Sequence, residues 1–477
     1  MPESIESPQL QSQNLQPTFT MQNLAAELIA LLGDRIVSTT ADDLAIHSTD
    51  KWFASSPPDV VVLPETTAQV SKLLRYANEN KIPVTPRGAG VGYVGGCVPL
   101  KGGIALSLAR MNLLKEINTQ DGVVVVEPGV ITGLLQQQAR ELGWFYPPDP
   151  ASLNECSIGG NIATNAGGPR CLKYGVTRQY VLGLEVVMAD GSIVRTGSRC
   201  HKNKTGFDLL GLMVGSEGML GVVTEATLRI IPHPPMRAMI SAGFASFPAA
   251  ANAVQKILGS GFLPSALEIA DKFTLRAARD YLGESVTPDG NAHLLVEIDG
   301  QAESVYGEIA QLANLLDRLG CVCLERAVGD EACDRFWKLR REFSYSLRNT
   351  GLIKLNEDIV VPRSRLVDLV EFAERLQADS GFPVACFGHA GDGNIHVNIM
   401  VPNMDEPEIR ARADAALDKL FHQVLAWNGV ITGEHGVGIA KKRWWNDAIP
   451  EAARVVHKKL KDALDPNGIL TPGKFLG

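Results

Sequence analysis

The 477-residue chain lacks most of the features that would assign it to a class at once. It has only eight cysteines (97, 156, 171, 200, 321, 323, 333 and 386), and no CxxC or CxxxC pair occurs among them. A thiolate set for zinc or an iron–sulfur cluster is therefore missing, and the scattered thiols read as small buried hydrophobes of a reducing compartment, the cytoplasm. No apolar run approaches the ~18 residues of a membrane span. No basic start followed by an apolar stretch marks a secretory leader, and residues 1–19 read as a polar, disordered tail. Excess positive charge is absent too: 45 Lys and Arg stand against 53 Asp and Glu, net −8. Nucleic acid and an anionic bilayer lose the electrostatic footprint they require. Peripheral membrane association through a partner stays open.

What is present is length for two or three domains, 45% apolar residues, and 46 glycines, above the usual ~7%. From Met21 short helices alternate with β-branched runs such as DVVVLP and KIPVTP. VVVVEPG, GLEVVMADG and VVTEATLRII then read as strands joined by glycine-rich turns. The prolines of IPHPPM at 231–236 mark a boundary. Beyond it, longer helices alternate with AHLLVEID, IKLNEDIVV, PVACFGHA and IHVNIMV, the pattern of an antiparallel sheet covered by helices.

The glycines cluster. Pro86-Arg-Gly-Ala-Gly-Val-Gly-Tyr-Val-Gly-Gly96 follows a strand, and its backbone is free to form a nest of amides for a pyrophosphate. More glycine follows where a Rossmann fingerprint would have a helix. Tyr146-Pro-Pro-Asp-Pro-Ala-Ser152, Ser157-Ile-Gly-Gly-Asn-Ile-Ala-Thr-Asn-Ala-Gly-Gly168 and Gly215-Ser-Glu-Gly-Met-Leu-Gly-Val-Val-Thr-Glu225 repeat the mixture of glycine and small polar residues. In this order the four segments resemble the FAD-binding domain of the vanillyl-alcohol oxidase and p-cresol methylhydroxylase flavoproteins. The resemblance implies an α+β architecture: a two-subdomain FAD-binding domain over 20–235, an antiparallel-sheet substrate (cap) domain over 236–430, and a C-terminal segment, 431–477, returning to the FAD domain. It implies FAD contacts at Arg87, Gly88, Ala89, Gly90, Gly92, Pro148, Ser157, Gly159, Gly160, Asn165, Gly168, Glu217, Gly221 and Val223. Lys474 joins them from the family-like ending Leu464-Asp-Pro-Asn-Gly-Ile-Leu-Thr-Pro-Gly-Lys474. Members that attach flavin covalently to the first loop carry histidine where this chain has Val91, so the FAD is expected to be non-covalent.

Phe387-Gly-His-Ala-Gly-Asp-Gly-Asn-Ile-His-Val-Asn398 predicts a hairpin turned at Gly391-Asp-Gly-Asn394, with His389 and His396 facing each other across it. Gly433-Glu-His-Gly-Val-Gly438 adds a carboxylate and an imidazole. Two histidines and a carboxylate form a familiar divalent-metal set that suits zinc, manganese, cobalt or iron. This half resembles the D-2-hydroxyacid dehydrogenase branch: glycolate oxidase D subunit, D-lactate dehydrogenases and D-2-hydroxyglutarate dehydrogenase. The resemblance implies metal binding by His389, His396 and Glu434, a catalytic base at His435, and substrate contacts at Arg340, Ser344, Lys354 and Asn398.

The expected activity is oxidation of glycolate or D-lactate to the 2-oxoacid by hydride transfer to flavin, with D-2-hydroxyglutarate as the substrate alternative. Electrons would leave to an iron–sulfur subunit, a quinone or another acceptor, with the chain a homo-oligomer or a subunit of a complex. Two other classes compete. One is a metal-dependent hydrolase in which the glycine loops are structural; the other is a non-redox flavin synthase like the ether-lipid enzyme of the superfamily.

Overall fold

A computed structural model describes residues 21–283 and 287–476; the expected tail, 1–19, lies outside them. The helices form where apolar positions recur at helical spacing. In Thr67–Asn80 the residues Val70, Leu73, Leu74 and Ala77 are buried. Thr66 caps its start reciprocally with Gln69, and Lys81 ends it in a left-handed conformation.

Three larger sheets organise the chain, beside a two-stranded pairing of Trp144–Phe145 with Ile231–Pro232. The first runs Val37–Ser38, Val60–Val62, Ile104–Ser107, Val84–Arg87, parallel except at its first, edge strand. The second is antiparallel: Leu114–Asn118, Val123–Val126, Val222–Arg229, Val181–Val187, Ile193–Gly197. The third has seven antiparallel strands in the order Cys323–Val328, Met236–Phe244, Ala292–Gly300, Ala266–Ala270, Val384–His389, Asn394–Val401, Ile353–Val360. Helices Phe247–Gly259, Ala302–Arg318, Leu366–Ser380 and Pro407–Ala426 bury their apolar stripes against one face of it. Lys272–Leu282 and Asp330–Arg348 cover the other face.

Two features join the halves. Between Arg170 and Tyr174 the first half offers cations and a phenol to acids on strand Ala292–Gly300. Arg170 donates from Nε to Glu297 at 2.9 Å, Lys173 pairs with Asp299, and the Tyr174 hydroxyl donates to Asp299 at 2.8 Å. Glu297 also accepts from Trp337 Nε1 at 2.6 Å. Burial pushes its carboxyl up, but Arg170 and the other donors outweigh that and hold it at about 2. The second feature is the return of the chain. Val84 donates to the Ile469 carbonyl and Thr471 to the Val84 carbonyl, both at 2.8 Å, and Ile469 and Leu470 complete the core around Leu73 and Ile104. Among the described residues, no helix is long and apolar enough to cross a membrane.

Candidate active site

Residues of the first two sheets and their loops, of the third sheet and of its covering helix Asp330–Arg348 line a cavity of about 510 Å³. Of the residues singled out in the sequence, Arg87, Gly88, Ala89, Gly90, Gly92, Ser157, Gly159, Gly160, Glu217, Gly221 and Val223 line one end. Arg340, Ser344, Lys354, His389, His396, Glu434 and His435 line the other. The glycine loops touch: a Cβ on Gly88 would stand 2.5 Å from Ser157 Oγ, so the two motifs form one wall only without side chains. Gly90, at φ +72, curls over the Arg87 guanidinium, which donates to the Thr49 carbonyl at 2.6 Å.

Five of the residues singled out lie outside the lining. The Pro148 carbonyl accepts from Gln136, Asn165 is a left-handed helix end accepting from the Arg178 amide, and Gly168 lets the Asp149 backbone pass close behind. Lys474 is buried and donates from Nζ to the Gly95 and Val98 carbonyls at 2.6 and 2.7 Å, holding the first glycine loop from behind. Asn398 is fully buried and donates to the Ala385 and His396 carbonyls, so it steadies the strand that carries His396.

The expected hairpin forms. His389 ends one strand, Asn394 begins the next, and the His389 and His396 rings stand 5.5 Å apart. Nε2 of each lies 3.6 Å from the same oxygen, Oε1 of Glu434, and Nε2 of His435 lies 3.9 Å from it. These separations exceed a hydrogen bond. They match donors sharing one ion, since two ligands at ~2.1 Å in tetrahedral geometry stand about 3.4 Å apart. Oε2, the other oxygen of that carboxylate, is buried without a hydrogen-bond partner, so the protein alone leaves the acid without a donor to neutralise it. The residues present therefore fit a divalent metal.

Protonation follows from the neighbours. Burial lowers His396 well below the usual histidine value, and His435 is lowered for the same first cause, against the pull of Asp358 and Glu434. Burial also opposes charge on His389, but the Glu268 and Glu434 carboxylates outweigh it and raise the imidazole to about 10. That is the ion-free state, and a metal would displace the Nε2 proton. Lys354 donates to Ser344 Oγ at 2.7 Å and is pushed down to about 7 by burial and by Arg348.

Several functional side chains escaped sequence reading. Glu268 accepts from His389 Nδ1 at 2.7 Å and from Arg340 Nε at 2.6 Å. Asp358, with no exposure, accepts the backbone amides of Gly433, Glu434 and His435 at 2.9, 2.9 and 3.0 Å, Thr432 Oγ1 at 3.0 Å and Asn394 Nδ2 at 2.7 Å. Burial pushes its carboxyl up, but His435, Lys441 and these donors hold it well below the usual carboxylate range. Asp50 lines the glycine end, and its Oδ2 is buried without a partner, an acceptor left free for a ligand hydroxyl. The available signal was an acid inside an otherwise apolar strand, as in ALEIA and LLVEID.

A glycine-walled cleft that ends on an antiparallel sheet carrying histidines and a carboxylate defines a two-domain flavoprotein fold. The 4-ethylphenol oxidase of Gulosibacter chungangensis matches 95% of this chain and 96% of its own at TM-score 0.76 and 21% identity; p-cresol methylhydroxylase also matches at TM-score 0.76. The chain belongs to the FAD-linked oxidases. Residues 58–197 match the FAD binding domain, and residues 233–475 match the C-terminal domain of FAD linked oxidases. Glycolate oxidase subunit GlcD of Bacillus subtilis is 38% identical over 88% of this chain and 89% of its own. The D-lactate dehydrogenase of Anaerostipes hadrus is 34% identical over 93% and 94%.

Proposed function

We propose that this flavoprotein oxidises a small D-2-hydroxyacid, glycolate or D-lactate, to the 2-oxoacid, with non-covalent FAD and a divalent ion held by His389, His396 and Glu434. D-2-hydroxyglutarate is the substrate alternative. The observation that carries the reading is the convergence of two Nε2 atoms on Glu434 Oε1 at 3.6 Å in a cavity that also holds Arg340, Lys354 and the glycine loops. The named relatives, a glycolate oxidase subunit and a D-lactate dehydrogenase, agree with it.

When bound, flavin supplies a hydride acceptor and the ion supplies the positive charge that acidifies a hydroxyl. The rest belongs to the chain. Arg340, fixed through Nε by Glu268, keeps its remaining N–H groups for a substrate carboxylate, and Lys354 gives a second positive point. His435, pushed below the usual histidine value, is neutral near pH 7 and can take the hydroxyl proton as general base. Asp358 stands 3.9 Å from its Nδ1 and stabilises the imidazolium that results. The Tyr93 ring covers His435 at 5.4 Å and limits the approach of water. The reduced protein passes electrons to an iron–sulfur partner, a quinone or another carrier, since its own cysteines offer no cluster site.

Anaerobic titration with glycolate, D-lactate and D-2-hydroxyglutarate tests the proposal. One acid bleaches the flavin absorbance, and chelation or His435→Ala stops the bleaching while flavin stays bound. Full bleaching in metal-free protein would remove the ion from the reaction, and no bleaching by any hydroxyacid would defeat the reading.

A further inference from the structure

Strand Ala266–Ala270 is buried along its whole length and carries one charge, Glu268, at 1% exposure. A carboxylate at that depth is tolerated only with partners of good geometry. The sheet register supplies the first, because Glu268 stands opposite His389 on the neighbouring strand, and Oε1 accepts from Nδ1 at 2.7 Å. The covering helix Asp330–Arg348 supplies the second. Its Arg340 lies over the Phe387 ring at 4.9 Å and donates from Nε to Oε2 at 2.6 Å. Each oxygen of the carboxylate thus holds one group, and the two groups belong to opposite duties of the site.

We propose that Glu268 is a positioning residue that couples the ion site to the carboxylate site, an inference that rests on the hydroxyacid reading above. By accepting from Nδ1 it fixes His389 in the tautomer whose Nε2 is free to ligate, and orients that ring toward Glu434 and His396. By accepting from Nε it fixes the plane of the Arg340 guanidinium and leaves the terminal nitrogens for the ligand. A 2-hydroxyacid carries its hydroxyl and its carboxylate on adjacent carbons, so the distance between ion and guanidinium must be held constant. One rigid carboxylate between two strands and a helix does this without touching the substrate.

The test compares metal-stripped flavoprotein of wild type, Glu268→Gln and Arg340→Lys by calorimetric titration with Zn²⁺ alone. The metal-loaded proteins are then assayed for KM with whichever hydroxyacid bleaches the flavin. Glu268→Gln is expected to weaken Zn²⁺ binding by about 10–100-fold and to raise KM about tenfold or more, both from one change. Arg340→Lys is expected to raise KM while Zn²⁺ affinity stays within about threefold. If Glu268→Gln does not accumulate folded with flavin, Glu268→Asp, which keeps the charge on a shorter arm, is read in the same two titrations with the same joint loss expected. Wild-type Zn²⁺ affinity in the glutamine variant, or a change in only one of the two readouts, overturns the coupling alone. No Zn²⁺ uptake by wild type overturns it together with the metal-dependent reading.

Discussion

Replacing Asp358 by alanine removes the anchor of the segment that presents Glu434 and His435. In the native protein one oxygen of Asp358 accepts three successive backbone amides and the Thr432 hydroxyl, and the other accepts the Asn394 side chain. Asp358 itself has no exposure, so its removal takes from the three amides an acceptor that lies inside the fold. An orphaned buried donor costs about 1–3 kcal/mol. Water entering the space left by the carboxylate recovers part of this, which leaves a net loss of about 3 kcal/mol. For a cooperative unit of about 200 residues that is a fall in Tm on the order of 6–12 °C. Relaxation of the loop should also weaken divalent-ion binding by about tenfold or more, because Glu434 loses its fixed position. Asp358→Asn keeps a carbonyl oxygen for the amides but loses the charge beside His435 and Lys441, so it should fall between wild type and alanine. Thermal unfolding followed by fluorescence, with Zn²⁺ calorimetry on stripped protein, measures both effects. An alanine variant that unfolds within 2 °C of wild type and binds Zn²⁺ within about threefold would refute the clamp.

Two other predictions concern the cofactor end and the pH response. Gly90→Ala strains the backbone at φ +72 and places a Cβ 1.9 Å from the Arg87 guanidinium, so the loop or the Arg87 side chain must shift and the flavin-to-protein absorbance ratio of purified protein should fall; a normal ratio would show that this loop does not hold the cofactor. Lys354, pushed down to about 7 and facing Ser344, Arg348 and His435, loses its charge as pH rises through 7 in the empty site. A carboxylate favours the charged form, so binding is strongest below pH 7, and KM should rise by up to tenfold per unit above it. His435 is already neutral there. Lys354→Met should raise KM at every pH and flatten that slope, and an unchanged slope would assign it to another group.

Much of this was legible in the chain because local chemistry and tertiary role coincide. The turn residues Gly391–Asn394 close the hairpin that brings His389 to His396, and glycine-rich loops line the cavity because a side chain at Gly88 or Gly90 would collide with its neighbours. The acids behind the site were legible only in part. Glu268, Asp358 and Glu297 act through partners 121, 77 and 127 residues away, and an acid inside an apolar strand marks Glu268 and Glu297 locally without naming those partners. Strand Ala266–Ala270, whose register against Val384–His389 creates the Glu268 contact, went unread because five buried residues have no alternation. Asn398 shares strand parity with His396, but its amide binds the backbone of its own hairpin and stays out of the cavity.

The Lys474 contact imposes an order on biosynthesis. The carbonyls of Gly95 and Val98 receive their ammonium from residues 379 and 376 positions further along the chain. At about 5–20 residues per second, the nascent first domain waits on the order of 20–75 s before the group that locks its glycine loop leaves the ribosome. The cap domain is translated entirely within that interval, so the Lys474 contact forms only after the chain of both halves has been made. A slow step in translation of the cap would lengthen the time during which those two carbonyls lack their ammonium.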